Sequence, residues 1–320
     1  MNDCGKRHYT SWFQLLSPCF KEKLKGEDIL HPELCLPEPH PKLKQKVHSI
    51  IENFNTTIQS SKKLLSLASS MIVSVPDNYK DVCPSTFDEF ISYLKLAAIT
   101  SPSYLPGAPD HIGCPLQNLF LCLLQSPHGR DFFNDPEVNE AVRDVVDVYG
   151  ELLRSPDSRV VFNNRQFGRM SDCAKKDLRM EEFDLPAPDE LAWGFDSFNS
   201  WFTRSLKNFA KDRPCPEDPR SLVAVGDVQW YADATGLELE TQMYIKNESY
   251  SLLHMFGGTE EARLDALPFV GGALLQVFFS ADKYHHFHSP TSGKILKVRT
   301  MPGRIHETTF KISSILLYQE

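Results

Sequence analysis

Several patterns that define common protein classes are missing from this 320-residue sequence. Its eight cysteines, at positions 4, 19, 35, 83, 114, 122, 173 and 215, form no CxxC pair. The first twenty residues, MNDCGKRHYTSWFQLLSPCF, lack the charged-then-apolar order of a secretory signal and the Arg-rich pattern of a mitochondrial one. Dispersed cysteines without a secretory signal are typical of reduced thiols, so the sequence predicts a cytoplasmic protein with free cysteines.

Long apolar runs and basic blocks are also scarce. The longest apolar candidate, Leu64 to Val75, is broken by serines, and nothing approaches about 18 consecutive apolar residues. We therefore expect no membrane span and no stable membrane anchor. The net charge is −8 and the basic runs are short, as in Lys42 to Lys46. This charge argues against nucleic acid as a partner, while a homo-oligomer stays open.

Proline is enriched and falls in clusters that divide the chain, with a boundary at Asp184 to Pro188. Before that boundary, apolar residues recur mostly at helical spacing. Thr86 and Glu89 fit a helix-capping box, and Asn134 or Asp135, followed by Pro136 in the first turn, suits the start of another helix. Residues 1–185 are therefore predicted to form a mainly helical N-terminal domain.

The pattern changes after the boundary. One helix is predicted over Ser197 to Leu206, followed by a turn-rich connector at residues 212–220. Short β-prone runs then alternate with Gly, Asn, Asp or Pro. These runs are Ser221 to Ala232, Glu238 to Ile245, Gly272 to Ser280 and Lys294 to Thr300. The predicted fold class is α+β, with residues 186–320 forming a β-rich core.

Histidines cluster in the stretch YHHFHSP, which begins at Tyr284. If the run is extended, His286 and His288 share one face and His285 lies on the other. A His-x-His pair permits a metal site, but a metal needs a third ligand, and no acidic residue follows His288 until Glu307. We favour a general base, because an imidazole titrates near neutrality, and keep a metal-binding β-fold as an alternative.

Four further stretches occur in a fixed order: FDSFNSWFTRSL with Arg213-Pro214 after it, SLVAVGDVQ, YIKNESYSLLHMFG, and SADKYHHFHSPTSGKILKVRTMPG. Together they resemble the phosphatidylserine decarboxylase family. The order and spacing of these stretches, rather than any single one, make the resemblance specific. The stretch SPDSRVVFNNRQFG (Ser155 to Gly168) resembles the soluble fungal branch of that family, which contains a tryptophan decarboxylase.

The resemblance implies a carboxy-lyase made as a zymogen. In this family a histidine deprotonates a serine of the enzyme's own backbone, and self-cleavage leaves a chain capped by a pyruvoyl group. The pyruvoyl carbonyl forms a Schiff base with the substrate amine and draws off electrons as CO₂ leaves. Residues 186–320 would then be part of a decarboxylase catalytic core.

Site residues carry over from the family position by position. His288 matches the base, and His285 matches the histidine tied to substrate handling and proton transfer. The family's orienting carboxylate lies in an Asp-Gly pair, whereas this chain has Gly226-Asp227, one place later. A one-residue shift turns a strand side chain to the other face, so Asp227 orients the base only if a bulge corrects its direction. A simple turn or edge aspartate is the equal alternative, and Tyr250 and Ser251 are expected to support the fold.

The serine has no match among these residues. Ser313-Ser314 follows isoleucine rather than glycine, and Ser292-Gly293 is in the wrong order. We therefore expect a truncated chain that is inactive alone, and a catalytically dead paralogue with a binding or regulatory role is the alternative. The substrate is expected to be an amino acid such as tryptophan, as in secondary metabolism, or phosphatidylserine, as in phospholipid biosynthesis.

Overall fold

The computed structural model describes residues 40–300, except 82, 107–111, 217, 219, 246–247 and 281, together with the strand at 313–318. The chain forms two compact units that divide between Phe209 and Ala210. This division lies downstream of the boundary predicted after residue 185, so the SFNSWF helix lies in the first unit. The overall α+β class is confirmed.

The first unit is built mainly from helices, as expected. It also contains a short antiparallel pair, β1 (Ser103–Tyr104) with β2 (Ile112–Gly113), and 3₁₀ turns at Asp77–Tyr79, Pro156–Val161, Met180–Glu182 and Leu191–Gly194. The helices are α1 (Pro41–Ser60), α2 (Lys62–Val73), α3 (Phe87–Ala97), α4 (Pro115–Leu123), α5 (Gly129–Asn134), α6 (Pro136–Arg154), α7 (Asp172–Asp177) and α8 (Phe198–Phe202), with α9 (Phe209–Asp212) at the division between the units.

Helix starts follow the predicted capping residues. Asp135 caps α6 by accepting the amide of Glu137, with Pro136 in the first turn. Thr86 caps α3 through the amide of Glu89. The Glu89 carboxylate accepts from the Ser85 amide and hydroxyl instead of completing the box at Thr86.

The core of the first unit forms where α1, α3 and α6 turn their apolar faces inward. On α1 the buried residues Val47, Ile51, Phe54 and Ile58 repeat at intervals of four, three and four, which keeps them on one face. The Phe54 ring packs edge-to-face on Phe90 of α3, with ring centroids 6.1 Å apart. The helical periodicity of the sequence therefore predicted the buried side of this unit.

Two of the stretches that resemble the family contact each other inside this unit. The Phe198 amide donates to the Ser158 hydroxyl at 2.8 Å, and the Phe162 ring packs against Trp201. The fully buried guanidinium groups of Arg169 and Arg204 lie over the Trp201 ring, 4.4 and 4.3 Å from its centroid. These residues therefore stabilise the fold through aromatic and cation–π packing.

The predicted helix over Ser197 to Leu206 is shorter than expected. It ends at Phe202, because the backbone turns at Thr203 and Leu206 then forms a β-bridge with Phe183. The prediction overextended this helix because the signal for the bridge comes from a partner more than twenty positions away in the sequence.

The prediction of free thiols is wrong for three cysteines. Cys83 and Cys122 form a disulfide with Cα atoms 5.9 Å apart, and Cys173 is also disulfide-bonded. Cys114 and Cys215 are not part of a disulfide. Sequence spacing could not reveal the pair, because the helical core brings together two buried cysteines that lie 39 positions apart.

The described residues of the second unit form three antiparallel strand pairs. They are β3 (Val228–Thr235) with β6 (Ala273–Phe279), β4 (Gln242–Ile245) with β5 (Glu248–Ser251), and β7 (Lys294–Thr300) with β8 (Ser313–Tyr318). Two short helices, α10 (Leu252–Met255) and α11 (Glu260–Ala266), and a 3₁₀ turn at Leu267–Phe269 lie between β5 and β6. Ser251 caps α10 by accepting the His254 amide, which agrees with its expected supporting role.

The four predicted β-runs all contain strands, but the first begins late. Residues 221–227 precede β3 rather than belonging to it, because their backbone pairs with the histidine segment instead of with β6. Large apolar side chains such as Trp230 and Phe278 are exposed on the β3–β6 pair. Among the described residues, no helix is both long and apolar enough to cross a membrane.

Candidate active site

The histidine segment lies against the stretch that leads into β3. The His288 amide donates to the Val225 carbonyl at 2.7 Å, and the Val223 amide donates to the Pro290 carbonyl at 2.9 Å. Residue numbers rise from 223 to 225 on one segment as they fall from 290 to 288 on the other, so the two segments pair in antiparallel fashion. They hold the segment beside Gly226 and Asp227.

Gly226 allows this close approach. A Cβ at this position would lie 2.5 Å from the Phe279 ring and 2.9 Å from the His286 carbonyl oxygen. Both distances are below any normal Cβ contact, and the second involves backbone. The Gly226-Asp227 order therefore has a packing reason: glycine occupies the crowded position and the acid follows it.

The three histidines separate onto two sides, as an extended run requires. The rings of His286 and His288 both stack on Tyr284, with centroids 4.8 and 5.7 Å from its ring. The His285 ring instead faces Phe279, at 6.3 Å. His285 and His288 therefore do not share one side of the segment.

His285 is held by a backbone contact. Its Nε2 lies 3.0 Å from the carbonyl oxygen of Ser280. Because a carbonyl oxygen only accepts, Nε2 carries the proton, and a neutral His285 keeps its lone pair on Nδ1.

His288 contacts a buried tyrosine rather than a carboxylate. Its Nε2 lies 3.2 Å from the hydroxyl of Tyr284, whose side chain is 6% exposed. Burial raises the pKa of Tyr284, and the nearby negative charge of Asp227 adds to that rise while Arg213 opposes it. The phenol is therefore protonated at neutral pH and can donate a hydrogen bond.

Asp227 is paired with arginine. Its two carboxylate oxygens accept from Nε and Nη2 of Arg213, at 2.5 and 2.6 Å, in the parallel two-bond geometry of a strong pair. The strand bulge on which an orienting role depended does occur, but at Tyr231, beyond Asp227 in the chain. A role for Asp227 in orienting the base therefore stays a prediction, and in this structure its hydrogen bonds run to Arg213.

The structure adds three residues that sequence reasoning did not assign to the site. Arg213 and Tyr284 stand in the RP and YHHFH stretches, so the sequence pointed to both residues. It did not indicate what either side chain contacts. Asp282 is buried and accepts from the Ser280 hydroxyl at 2.5 Å, with the Lys283 ammonium 3.2 Å away. These contacts fix the turn that delivers Tyr284 and the histidines.

Metal ligation has a separate geometric requirement. Within the described part of the chain, no three His, Cys, Asp or Glu side chains are grouped closely enough to hold a metal ion. What the cluster offers is a buried phenol, a neutral ion pair and two imidazoles on opposite sides of one segment.

Comparison with known proteins identifies the lineage. Two family models described as phosphatidylserine decarboxylase match residues 48–178 and 198–317. The second match includes the histidine segment, Asp227 and Arg213. The first match lies within the helical unit, so the family resemblance is not confined to the β-rich unit.

Individual relatives agree with the family models. An L-tryptophan decarboxylase of Psilocybe cubensis is 24% identical over 93% of this chain and 61% of its own length. The decarboxylase iboD of Amanita muscaria is 27% identical over 61% of this chain and 57% of its own. A phosphatidylserine decarboxylase proenzyme of Halorhodospira halophila is 36% identical over 35% of each chain.

The chain spans about three fifths of the length of the two fungal relatives. The relatives share decarboxylation in their names but differ in the substrate that the names specify. Together with the two family matches, they show that the chain belongs to the phosphatidylserine decarboxylase family and lies close to its fungal L-tryptophan decarboxylase branch.

Proposed function

We propose that this chain is the histidine-bearing part of a pyruvoyl-dependent carboxy-lyase that acts on an amine-bearing substrate. The observation that supports the proposal most strongly is the paired segment in which His288 contacts a buried phenol beside the Asp227–Arg213 pair. This segment lies within the second match to the decarboxylase family. The proposal requires the histidines to move protons, and their contacts suit that task.

In the proposed reaction His288 is the base that takes the proton of a serine hydroxyl. Neutral imidazole can accept this proton near pH 7, and its backbone is fixed by the bond to Val225. His285 lies on the other side of the segment, where its protonated ring can give a proton to the substrate carbon after CO₂ leaves and so return to the neutral form. The two histidines thus have separate tasks that do not compete for one position.

The residues present fit only part of the pyruvoyl chemistry. The base and its surroundings are there, but none of the 16 glycines is followed by serine. The serine therefore has to come from sequence other than these 320 residues. A pyruvoyl group, when formed, supplies a carbonyl that binds the substrate amine and withdraws electrons during decarboxylation.

For the substrate we propose a free aromatic amino acid such as tryptophan, handled in the cytoplasm. The match to the Psilocybe cubensis enzyme covers 93% of this chain, including the helical unit. The match to the Halorhodospira halophila lipid enzyme covers 35%. The wider likeness to the amino-acid enzyme supports tryptophan over phosphatidylserine.

The test is release of ¹⁴CO₂ by protein expressed from its complete gene. One reaction contains carboxyl-labelled L-tryptophan, and a second contains serine-labelled phosphatidylserine in vesicles. We expect release from tryptophan and its loss in the His288→Ala variant. Release from the lipid alone contradicts the proposed substrate, and release from neither contradicts the proposed activity.

A second candidate function is a non-catalytic binding or regulatory paralogue. The specific observation in its favour is the lack of a Gly-Ser pair among these residues. It predicts that protein from the complete gene stays a single chain and still binds an aromatic amine or amino acid. Equilibrium dialysis with tryptophan and tryptamine, combined with a denaturing gel, separates this candidate from the enzyme.

A further inference from the structure

We propose that Tyr284 is the positioning residue of His288. The catalytic consequence rests on the proposed function, whereas the positioning itself does not. The resemblance to the family assigned the orienting role to a carboxylate in the strand that precedes the histidines. The geometry of this chain assigns direct contact with the base to a phenol four residues before it.

The contact itself is well defined. The Tyr284 hydroxyl lies 3.2 Å from His288 Nε2, within hydrogen-bonding distance. The two rings are inclined by 12°, so they stack as well as hydrogen bond. On the same tyrosine ring His286 stacks at 4.8 Å. Tyr284 thus restrains the His288 ring by a hydrogen bond and by its plane.

Asp227 is engaged elsewhere. Both carboxylate oxygens face the guanidinium of Arg213, and the Asp227 side chain is 15% exposed while that of Arg213 is 33% exposed. A two-bond pair of this kind has a fixed orientation, because the guanidinium fork and the carboxylate are both planar. The charge of Asp227 nevertheless acts on Tyr284, as does the opposite charge of Arg213.

A hydroxyl can donate to Nε2 or accept from it, and the proposal assigns the phenol as the donor. The neutral ring then carries its own proton on Nδ1. The Nε2 lone pair thus faces the phenol, and a serine hydroxyl has to replace the phenol there before its proton passes to the ring. Once Nε2 carries that proton, it can donate to the phenol oxygen. Among the described residues, His286 contacts Tyr284, and the charges of Asp227 and Arg213 act on it.

The direct test is the tautomer of His288, measured by long-range ¹H–¹⁵N NMR on ¹⁵N-histidine-labelled protein. The His288→Asn spectrum assigns the signal among the 11 histidines. We expect the Nδ1–H form in the wild type and a shift towards the Nε2–H form in Tyr284→Phe. Tyr231→Phe removes an exposed phenol of the same unit and should leave the signal unchanged.

Asp227→Asn tests whether the carboxylate, rather than the phenol, orients the imidazole of His288. We expect it to change the His288 signal less than Tyr284→Phe does, because Asp227 contacts Arg213 rather than the imidazole. An unchanged tautomer in Tyr284→Phe overturns the proposal. So does a larger change in Asp227→Asn than in Tyr284→Phe. Neither measurement needs catalytic activity.

The catalytic consequence is tested by self-cleavage of protein from the complete gene, with 3,5-difluorotyrosine at position 284. This residue keeps the ring and the hydroxyl but is a more acidic phenol, so a tyrosine with a purely structural role leaves the pH profile unchanged. We expect the profile to move to lower pH and Tyr284→Phe to slow cleavage roughly 10²-fold. An unmoved profile contradicts this role of Tyr284, whereas a wild type that never cleaves contradicts the proposed function and leaves the NMR result standing.

Discussion

Replacing Gly226 by alanine tests the placement of the histidine segment. The added Cβ would lie 2.5 and 2.8 Å from two atoms of the Phe279 ring and 2.9 Å from the His286 carbonyl oxygen. The ring can shift, but the backbone of His286 is tied through His288 to Val225. Overpacking of this kind costs about 1–3 kcal/mol. We expect that cost to appear as loosening of the pairing between residues 223–226 and 286–290.

Hydrogen–deuterium exchange measures this loosening at the His288 amide, which the pairing protects. Since about 1.4 kcal/mol corresponds to a tenfold change, exchange should quicken roughly 5- to 150-fold if it follows local opening. Gly150→Ala is the matched control, because its Cβ meets only the flexible end of Arg154 within a helix. Alanine there should be neutral or stabilising by about 0.5–1 kcal/mol.

The reasoning is refuted if the His288 amide exchanges at the same rate in Gly226→Ala as in wild type and in Gly150→Ala. That result would mean that the histidine segment does not lie against Gly226. Faster exchange over the whole second unit, without preference for this segment, would place the clash elsewhere.

Three further predictions concern the fold, the cysteines and the isolated chain. Phe54→Ala should lower the free energy of unfolding of the first unit by about 3–5 kcal/mol in urea titration, because the ring is buried against Phe90. Truncation of the exposed Val73 should lower it by less than about 0.5 kcal/mol. Non-reducing peptide mapping should recover Cys83 linked to Cys122 and should find the exposed Cys215 alkylated. Peptides of Cys83 and Cys122 without linkage would contradict the disulfide. The 320-residue chain expressed alone should show no self-cleavage, because none of its glycines is followed by serine; a clean lower-mass fragment on a denaturing gel would contradict this.

Local sequence signals predicted the helical unit well. Asp135 with Pro136, and Thr86 with Glu89, set helix starts through contacts within a few residues. The four-three-four spacing of Val47, Ile51, Phe54 and Ile58 marked the buried face of α1, because a helix places such residues on one side.

Features that depend on distant partners were not predictable in the same way. The β-bridge between Phe183 and Leu206 shortened a predicted helix, and the pairing of Val225 with His288 delayed a predicted strand. The Cys83–Cys122 bond joins buried positions that no spacing rule connects. In each case the partner is chosen by tertiary packing.

The candidate site was predictable in its residues but not in its contacts. The histidine stretch and Asp227 could be singled out from sequence, and the alternation of His285 against His286 and His288 follows from an extended backbone. The pairing of Asp227 with Arg213 and the contact between Tyr284 and His288 depend on three segments that meet only in the fold.

The measurement that tests the central claim most directly is intact-mass spectrometry of protein expressed from its complete gene. If His288 is the base of a self-processing decarboxylase, the wild type should give two chains, one of them with a pyruvoyl-blocked end, and His288→Ala should give one uncleaved chain. A single uncleaved chain in the wild type, or the same two chains in His288→Ala, would contradict the account.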